Sequence, residues 1–307
     1  MPVLRSALIA LSQNRPLRRL MEDSRLGRKL SSRFVAGMDI LDALAVAEKM
    51  QRQEIACTLD ALGESISTEA EARRAAGVYH ELLDMLAVRK LNANVSLKLT
   101  QMGLGLSVDL AEEIVGGLVE HAASLGNFVR VDMEDSALTQ ITIDLVRRLH
   151  ARPALRNSVG IVLQAYLYRT AEDVELLLQE GIRIRLCKGA YKEPASVAFP
   201  RKADVDANYI RLSQRLLASP HYHGLATHDL QMIEAARQFA REQKIQPDRF
   251  EFQMLYGVRR DLQRHLVEEG YTVRLYIPFG RQWYPYFMRR LAERPANLLF
   301  LLKNMLR

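Results

Sequence analysis

The sequence predicts an α/β protein built as a (β/α)8 barrel, and three observations carry that expectation. Eight short β-rich segments recur in turn with helical patterns over some 230 residues, and such regular alternation means parallel strands under a ring of helices. In nearly every strand one parity is apolar and the other polar, as two differently covered faces require. No GxGxxG is present, and GLGLSV at 103–108 breaks that pattern, which weighs against a doubly wound nucleotide-binding sheet.

Taken in chain order, residues 1–50 form a predicted N-terminal helical segment and 51–307 the barrel. Residues 1–33 hold eight Arg and Lys against Glu22 and Asp23, supplying +6 of the net +7. Such an Arg-rich, acid-poor opening is compatible with an amphipathic membrane-surface helix or a presequence. A helix capping the parent core is favoured, because apolar residues at helical spacing usually pack inward. The expected strands are 54–60, 94–100, 128–134, 159–166, 183–189, 223–229, 249–255 and 272–278. Between the second and third, DLAEEIVGGLVEHAASLG reads as a helix opened by an Asp109/Glu112 capping box. After the eighth strand, FMRRLAERPAN (287–297) sets Arg289 and Arg290 three to four residues before Glu293. That spacing allows a solvated salt-bridged helix face. The aromatic run YIPFGRQWYPYF just upstream favours a partly buried place, where paired guanidinium forks fit a small carboxylate.

The apolar parity comprises Val95, Leu97 and Leu99; Val129, Val131 and Met133; Ile161 and Leu163; Ile184 and Leu186; Phe250 and Phe252; Val273, Leu275 and Ile277. It belongs under the helices. The other parity holds Thr58, Asp60, Ser96, Lys98, Arg130, Asp132, Glu134, Gln164, Arg183, Arg185, His228, Glu251, Gln253, Arg274 and Tyr276. In a closed barrel these line the interior, where charges must pair with one another or with a ligand. Several fall at the last strand positions, where barrel active sites are built. Their largely cationic rim suits an anionic cofactor and a small anionic substrate.

With 49% hydrophobic and 26% charged residues the chain has ample core for a barrel. Cys57 and Cys187, in apolar strand contexts, read as reduced thiols. Outside the basic start the charge is nearly neutral, which argues against a nucleic-acid footprint. No run reaches the ~18 apolar residues of a membrane-spanning helix. The rival enzyme is a Schiff-base lyase using Lys98 or Lys188. A metal hydrolase is weaker, since the His221/His223 pair reads as surface histidines in a loop. The non-enzymatic alternative is a membrane or nucleic-acid binder acting through the basic N-terminus.

VSLKLTQMG, VRVDMED, VLQAYLYR, RIRLCKGAY, LATHD, FEFQMLYG and RLYIPFGRQWYPYFMRRLAERPAN follow one another between residues 95 and 297, and RFVAG (33–37) precedes them. On these segments the chain resembles the proline dehydrogenase family, in its short monofunctional bacterial form. The resemblance implies a distorted TIM barrel with N-terminal helices and its last helix over the carboxyl ends of the strands. It implies FAD bound without a Rossmann fold, oxidation of L-proline to Δ1-pyrroline-5-carboxylate by hydride transfer to flavin N5, and electrons passed to a membrane quinone. A cytoplasmic location with peripheral contact on the inner face of the bacterial membrane would follow, with a separate pyrroline-5-carboxylate dehydrogenase taking the product. Carried over motif by motif, Asp132 and Met133 would flank the flavin, Gln164 would bond its ring edge, and Arg185 would approach N5. Lys188, Gly189 and Ala190 would take the pyrophosphate, and Thr227 and His228 the phosphates and adenosine portion. Gln253 and Leu255 would line the site. Lys98, Tyr276 and Tyr286 would face the substrate, whose carboxylate Arg289 and Arg290 would grip with Glu293 orienting them. Asp132 and Arg185 are the expected catalytic pair. Asp229 stands where many members have Asn, a departure that touches only a cofactor contact.

Overall fold

Eight parallel strands close on themselves in chain order, β1 (Ala56–Ala61), β2 (Ala93–Lys98), β3 (Val129–Asp132), β4 (Val159–Gln164), β5 (Arg183–Cys187), β6 (His223–Ala226), β7 (Phe250–Leu255) and β8 (Thr272–Phe279), with β8 pairing back to β1. This computed structural model describes residues 18, 20–22, 24, 27, 31–63 and 66–293, with the backbone alone over 289–293. Helices α1 (Ile40–Gln51), α2 (Glu69–Val88), α3 (Val108–Ser124), α4 (Thr139–His150), α5 (Thr170–Gln179), α6 (Lys202–Leu217), α7 (Leu230–Glu242), α8 (Arg260–Glu268) and α9 (Trp283–Glu293) alternate with them.

The expected parity places the core. Val95, Leu97, Val129, Val131, Ile161, Leu163, Ile184, Leu186, Phe252, Val273, Leu275 and Ile277 are all buried in one cluster with the inner faces of the helices, such as Leu82 and Leu83 of α2 and Leu118 of α3. Helix α1 joins that cluster through Ala43, Leu44, Ala47 and Met50. Its start is fixed by a capping box between Asp39 and Asp42, and α2 starts with another, between Thr68 and Glu71. The capping box expected at Asp109/Glu112 is not formed. The cap of α3 is Ser107, whose hydroxyl accepts from the Leu110 amide, and Asp109 sits inside the first turn. The serine is two residues earlier, behind Val108, and its short hydroxyl reaches the third amide from an extended backbone.

Unlike the other helices, α9 leaves the side of the barrel. After β8 the chain turns at Gly280 (φ +121), whose amide donates to Gly37 O. Trp283, Tyr284, Tyr286, Phe287 and Met288 then pack on Phe34, Val35, Val258, Leu62 and Leu255. Leu62 and Val258 lie just past the carboxyl ends of β1 and β7 and Leu255 closes β7, so α9 covers that end of the barrel. Six of the eight basic residues of the start, Arg5, Arg15, Arg19, Arg25, Arg28 and Lys29, lie outside the described residues. Among the described ones, Arg18 pairs with Glu22 at 3.0 Å and donates to Gln282 at 3.1 Å. No helix among the described residues is long and apolar enough to cross a membrane.

Candidate active site

Strand register brings distant residues into one buried cluster at the carboxyl ends. Lys98 of β2 lies beside Asp132 of β3, and Tyr276 of β8 stands across from β1. One oxygen of Asp132, Oδ1, accepts from Arg185 Nη1 at 2.8 Å and Ser96 Oγ at 2.6 Å. The other, Oδ2, is 2.8 Å from Tyr276 Oη and 3.6 Å from Lys98 Nζ. Arg185 is only 5% exposed. Its Nε donates to Gln253 Oε1, and its guanidinium lies 5.3 Å from the Tyr276 ring centre. Below, Gln253 donates to Glu251, which also receives Arg274 Nε at 2.9 Å. The barrel interior is therefore a polar network of the inward parity, in which Asp132 faces Arg185 and Lys98, Glu251 faces Arg274, and Arg130 donates to the Ile161 and Arg183 carbonyls.

Two strand glycines make room for it. A side chain at Gly224 would come within 2.4 Å of Gln253 Nε2, and one at Gly160 within 2.7 Å of Arg130 Nη1. Sequence reasoning left both aside, although a glycine inside a strand is the signal of such close approach.

Asp60 was read as one inward residue among many, and the structure gives it a central position. It is 1% exposed, with Oδ2 2.7 Å from Tyr276 Oη and 3.4 Å from Lys98 Nζ, and Oδ1 3.3 Å from Tyr79 Oη. Burial pushes its carboxyl up from the ordinary range, with Lys98 opposing and Asp132 adding to the shift. Burial acts on Asp132 in the same sense, but the charges of Arg185 and Lys98 and the Ser96 and Tyr276 hydroxyls overcome it, so that carboxyl is held low. Two neighbouring carboxyls with opposite shifts are the arrangement by which one site holds an acid and a carboxylate together.

Of the remaining expected residues, Gln164 is 3% exposed and donates to Glu134 O at 2.8 Å. Glu134 in turn accepts from the Thr100 amide and hydroxyl. The Met133 side chain is buried in the main apolar core, which leaves its backbone toward the strand ends. Past β5, Lys188 Nζ bridges Asp206 at 2.5 Å and Asp229 at 2.8 Å, and Lys202 joins the same carboxylates. These four groups carry no net charge. Gly189 follows at φ +115, where an added side chain would strike the Tyr166 ring at 2.3 Å, and Ala190 is exposed. Beyond β6, the Thr227 amide donates to Gln253 O at 3.1 Å and its Oγ1 accepts from the Asp229 amide. His228 Nε2 accepts from the Leu255 amide at 2.8 Å, which ties the ends of β6 and β7. Leu255 packs under α9, and Tyr286 is one of the α9 residues in that cluster. The side chains of Arg289, Arg290 and Glu293 lie outside the described residues; the helix that carries them covers the cluster end of the barrel.

His223 is no surface histidine. It opens β6, is 1% exposed, accepts from the Ile184 amide at Nδ1 (3.0 Å) and meets Ser219 Oγ at Nε2 (2.9 Å). A second loop contact outside the expected set is Glu193, which takes the Ser136 amide at 2.7 Å and its hydroxyl, strapping the loop after β5 to the one after β3.

The fit to a flavin dinucleotide rests on three observations. The strand ends offer a buried cation, Arg185, bonded to the Gln253 amide, and a second buried amide, Gln164, closing β4. Gly189, at φ +115 with the Tyr166 ring packed against it, lets the chain past β5 take a tight turn at the strand ends. The helix and loops on this face leave the strand ends flanked by aromatic surface.

Comparison with known proteins gives one consistent answer. The model of the family described as proline dehydrogenase matches residues 43–303. "Proline dehydrogenase" of Deinococcus radiodurans is 41% identical over 281 residues, covering 91% of this chain and 90% of that one. "Proline dehydrogenase 2" of Bacillus subtilis is 40% identical over 278 residues, 91% of each chain. Among solved structures, proline utilization A (PutA) from Bdellovibrio bacteriovorus, inactivated by N-propargylglycine, superposes with a TM-score of 0.81 at 27% identity. That match covers 86% of this chain and 32% of the larger PutA chain.

Proposed function

The chain belongs to the proline dehydrogenase family and oxidises proline in proline catabolism, and on that premise we propose that it binds FAD across the strand ends and delivers electrons to a membrane quinone. The observation that carries the cofactor reading is the buried Arg185, fixed on one side by Asp132 and on the other by Gln253. When bound, FAD supplies the acceptor for the hydride leaving the substrate carbon next to nitrogen. Arg185 holds a positive charge where negative charge develops on reduction, and its two partners keep it there without reorganisation. Asp132 positions Arg185 and Tyr276. Gln164 offers an amide to the ring edge, and Met133 its backbone. Because Lys188 and Lys202 are balanced by Asp206 and Asp229, the turn through Gly189 and Ala190 binds pyrophosphate chiefly by backbone N–H groups. Thr227 and His228 border the adenosine side.

The substrate L-proline lies under α9. Arg289 and Arg290 grip its carboxylate, Glu293 orients them, and Lys98, Tyr276 and Tyr286 border the ring. Lys98 and Lys188 are both engaged with carboxylates, unlike the neutral amine of a Schiff-base enzyme. The product is Δ1-pyrroline-5-carboxylate, which a separate pyrroline-5-carboxylate dehydrogenase takes onward. The membrane quinone implies contact of this protein with a membrane surface.

The purified protein should carry flavin absorbance that L-proline bleaches anaerobically without nicotinamide cofactor. Protein reconstituted with FAD that stays oxidised in excess proline would refute the cofactor reading. For the substrate grip, Arg289→Ala or Arg290→Ala should raise the apparent proline constant roughly 30-fold, the low end for removing one partner of a charge pair. Near-normal proline constants in both variants would place the two arginines outside the site.

A further inference from the structure

Tyr276 Oη stands 2.7 Å from Asp60 Oδ2 and 2.8 Å from Asp132 Oδ2. A phenol has one proton to donate, and an ionised carboxylate has none. If both aspartates were ionised, one of these two contacts would press lone pairs together with no hydrogen between them, inside a buried site where such a contact is costly. Tyr79 Oη, near Asp60 Oδ1 at 3.3 Å, serves the other oxygen of Asp60 and cannot fill the gap. Lys98 Nζ, at 3.4 Å from Asp60, 3.5 Å from Tyr276 Oη and 3.6 Å from Asp132, lies beside the three oxygens and puts no proton on the line of either short contact.

We propose that Asp60 holds a proton at rest near neutral pH, so that a single directed chain runs from the Asp60 carboxylic acid through the Tyr276 hydroxyl to the Asp132 carboxylate. One added proton satisfies both short contacts: Asp60 Oδ2–H donates to Tyr276 Oη, and Tyr276 Oη–H donates to Asp132 Oδ2. Its location follows from the neighbours. Asp132 meets the Arg185 guanidinium at 2.8 Å and the Ser96 hydroxyl at 2.6 Å, which favour the charged form. The one cation near Asp60 among the described residues is the more distant Lys98 ammonium, at 3.4 Å, and burial weighs against the charge of Asp60. The titratable groups facing Asp60 are Lys98 from β2, Asp132 from β3, Arg185 from β5 by way of Tyr276, Tyr276 from β8 and Tyr79 from α2. With Asp60 neutral, the chain from Asp60 through Tyr276 to Asp132 carries a single negative charge, set beside Arg185 and Lys98. Asp60 is thus a positioning residue: it locks the direction of the Tyr276 hydroxyl.

The proton count rests on side-chain geometry alone and stands apart from the FAD reading. Infrared spectra of the purified protein, with aspartate carbon-labelled at the carboxyl, read it directly. At neutral pH the wild type should show a carboxylic-acid C=O band that disappears in Asp60→Asn and shifts in Tyr276→Phe. A wild type without that band, or a band that persists in Asp60→Asn, overturns the proposal. Kinetics gives an independent readout. Asn at position 60 can donate through Nδ2–H as the acid does, whereas Leu cannot. Asp60→Asn should therefore lower kcat/KM about tenfold less than Asp60→Leu, the scale of one buried hydrogen bond, and should remove the alkaline limb that ionisation of Asp60 gives the wild type. Equal losses in the two variants would mean that the charge of Asp60 is what matters and would overturn it.

Discussion

At the scale of single residues, Arg185 bears the sharpest expectation. Its 2.8 Å pair with Asp132 and its bond to Gln253 hold it rigidly in a buried place. Arg185→Met should slow flavin reduction about 10²- to 10³-fold, the loss seen when one preorganised donor to developing charge is removed, with a smaller change in the proline constant. Single-turnover reduction at the wild-type rate in a variant that retains flavin would remove Arg185 from that role. The inward parity that includes Arg185, Asp132, Lys98 and Tyr276 could be read from the strand patterns. The part played by Asp60 could not, because its partners lie 38 and 216 residues away along the chain. The pairing of β1 with β2 on one side and β8 on the other brings them together. His223 was misplaced for a related reason: HYHGLATHD hides the loop-to-strand boundary, and an amide from the neighbouring strand, Ile184, supplies the buried ring with its partner.

Among the elements, the start of α3 separates two readings of the same sequence. With Ser107 as the cap, Ser107→Ala should cost about 1 kcal/mol of stability. Asp109→Ala should cost only the few tenths typical of a first-turn charge. Denaturant midpoints of the two variants, with unchanged slopes, give the comparison. The sequence hid this choice because two oxygen-bearing side chains sit two residues apart and either can open a helix. The turn after β5 offers a second test. Any side chain at position 189 would meet the Tyr166 ring at 2.3 Å on a backbone at φ +115, so Gly189→Ala should displace the loop that carries Lys188 and Ala190 and weaken FAD retention. The dissociation constant of FAD from the variant measures it, and wild-type affinity would show that the turn lies away from the cofactor. The placement of α9 was legible only through family resemblance; the aromatic run marked burial, but no periodicity says which end of a barrel a helix covers.

For the whole molecule, pH response follows from the barrel floor. Burial, together with the charge of Arg130, lowers the His223 pKa from 6.5 to about 3. The unfolded chain therefore takes up this proton first as pH falls below about 6.5. His223 contributes stability that is fully present above that pH and is lost toward pH 3, at about 1.4 kcal/mol per pH unit for one proton. Unfolding free energies measured from about pH 7 to pH 5 should fall more steeply for the wild type than for His223→Gln, and parallel slopes would show that the ring is already charged in the folded state. The strand count, helical ring and core face were readable because each depends on local periodicity, and closure followed from the count; the register of the closing pair was not readable, because it joins the two ends of the barrel. That pair has a consequence for biosynthesis and refolding. β1 finds its second neighbour only when β8, more than two hundred residues later, has been made and docked, a long-range closure of the kind that slows folding. Until then Asp60 and Lys98 lack Tyr276, so no partly assembled barrel can have the ligand-binding end in working order. During refolding, recovery of flavin binding should lag the recovery of helical signal and coincide with the last kinetic phase, the one in which the seam between first and last strand is sewn.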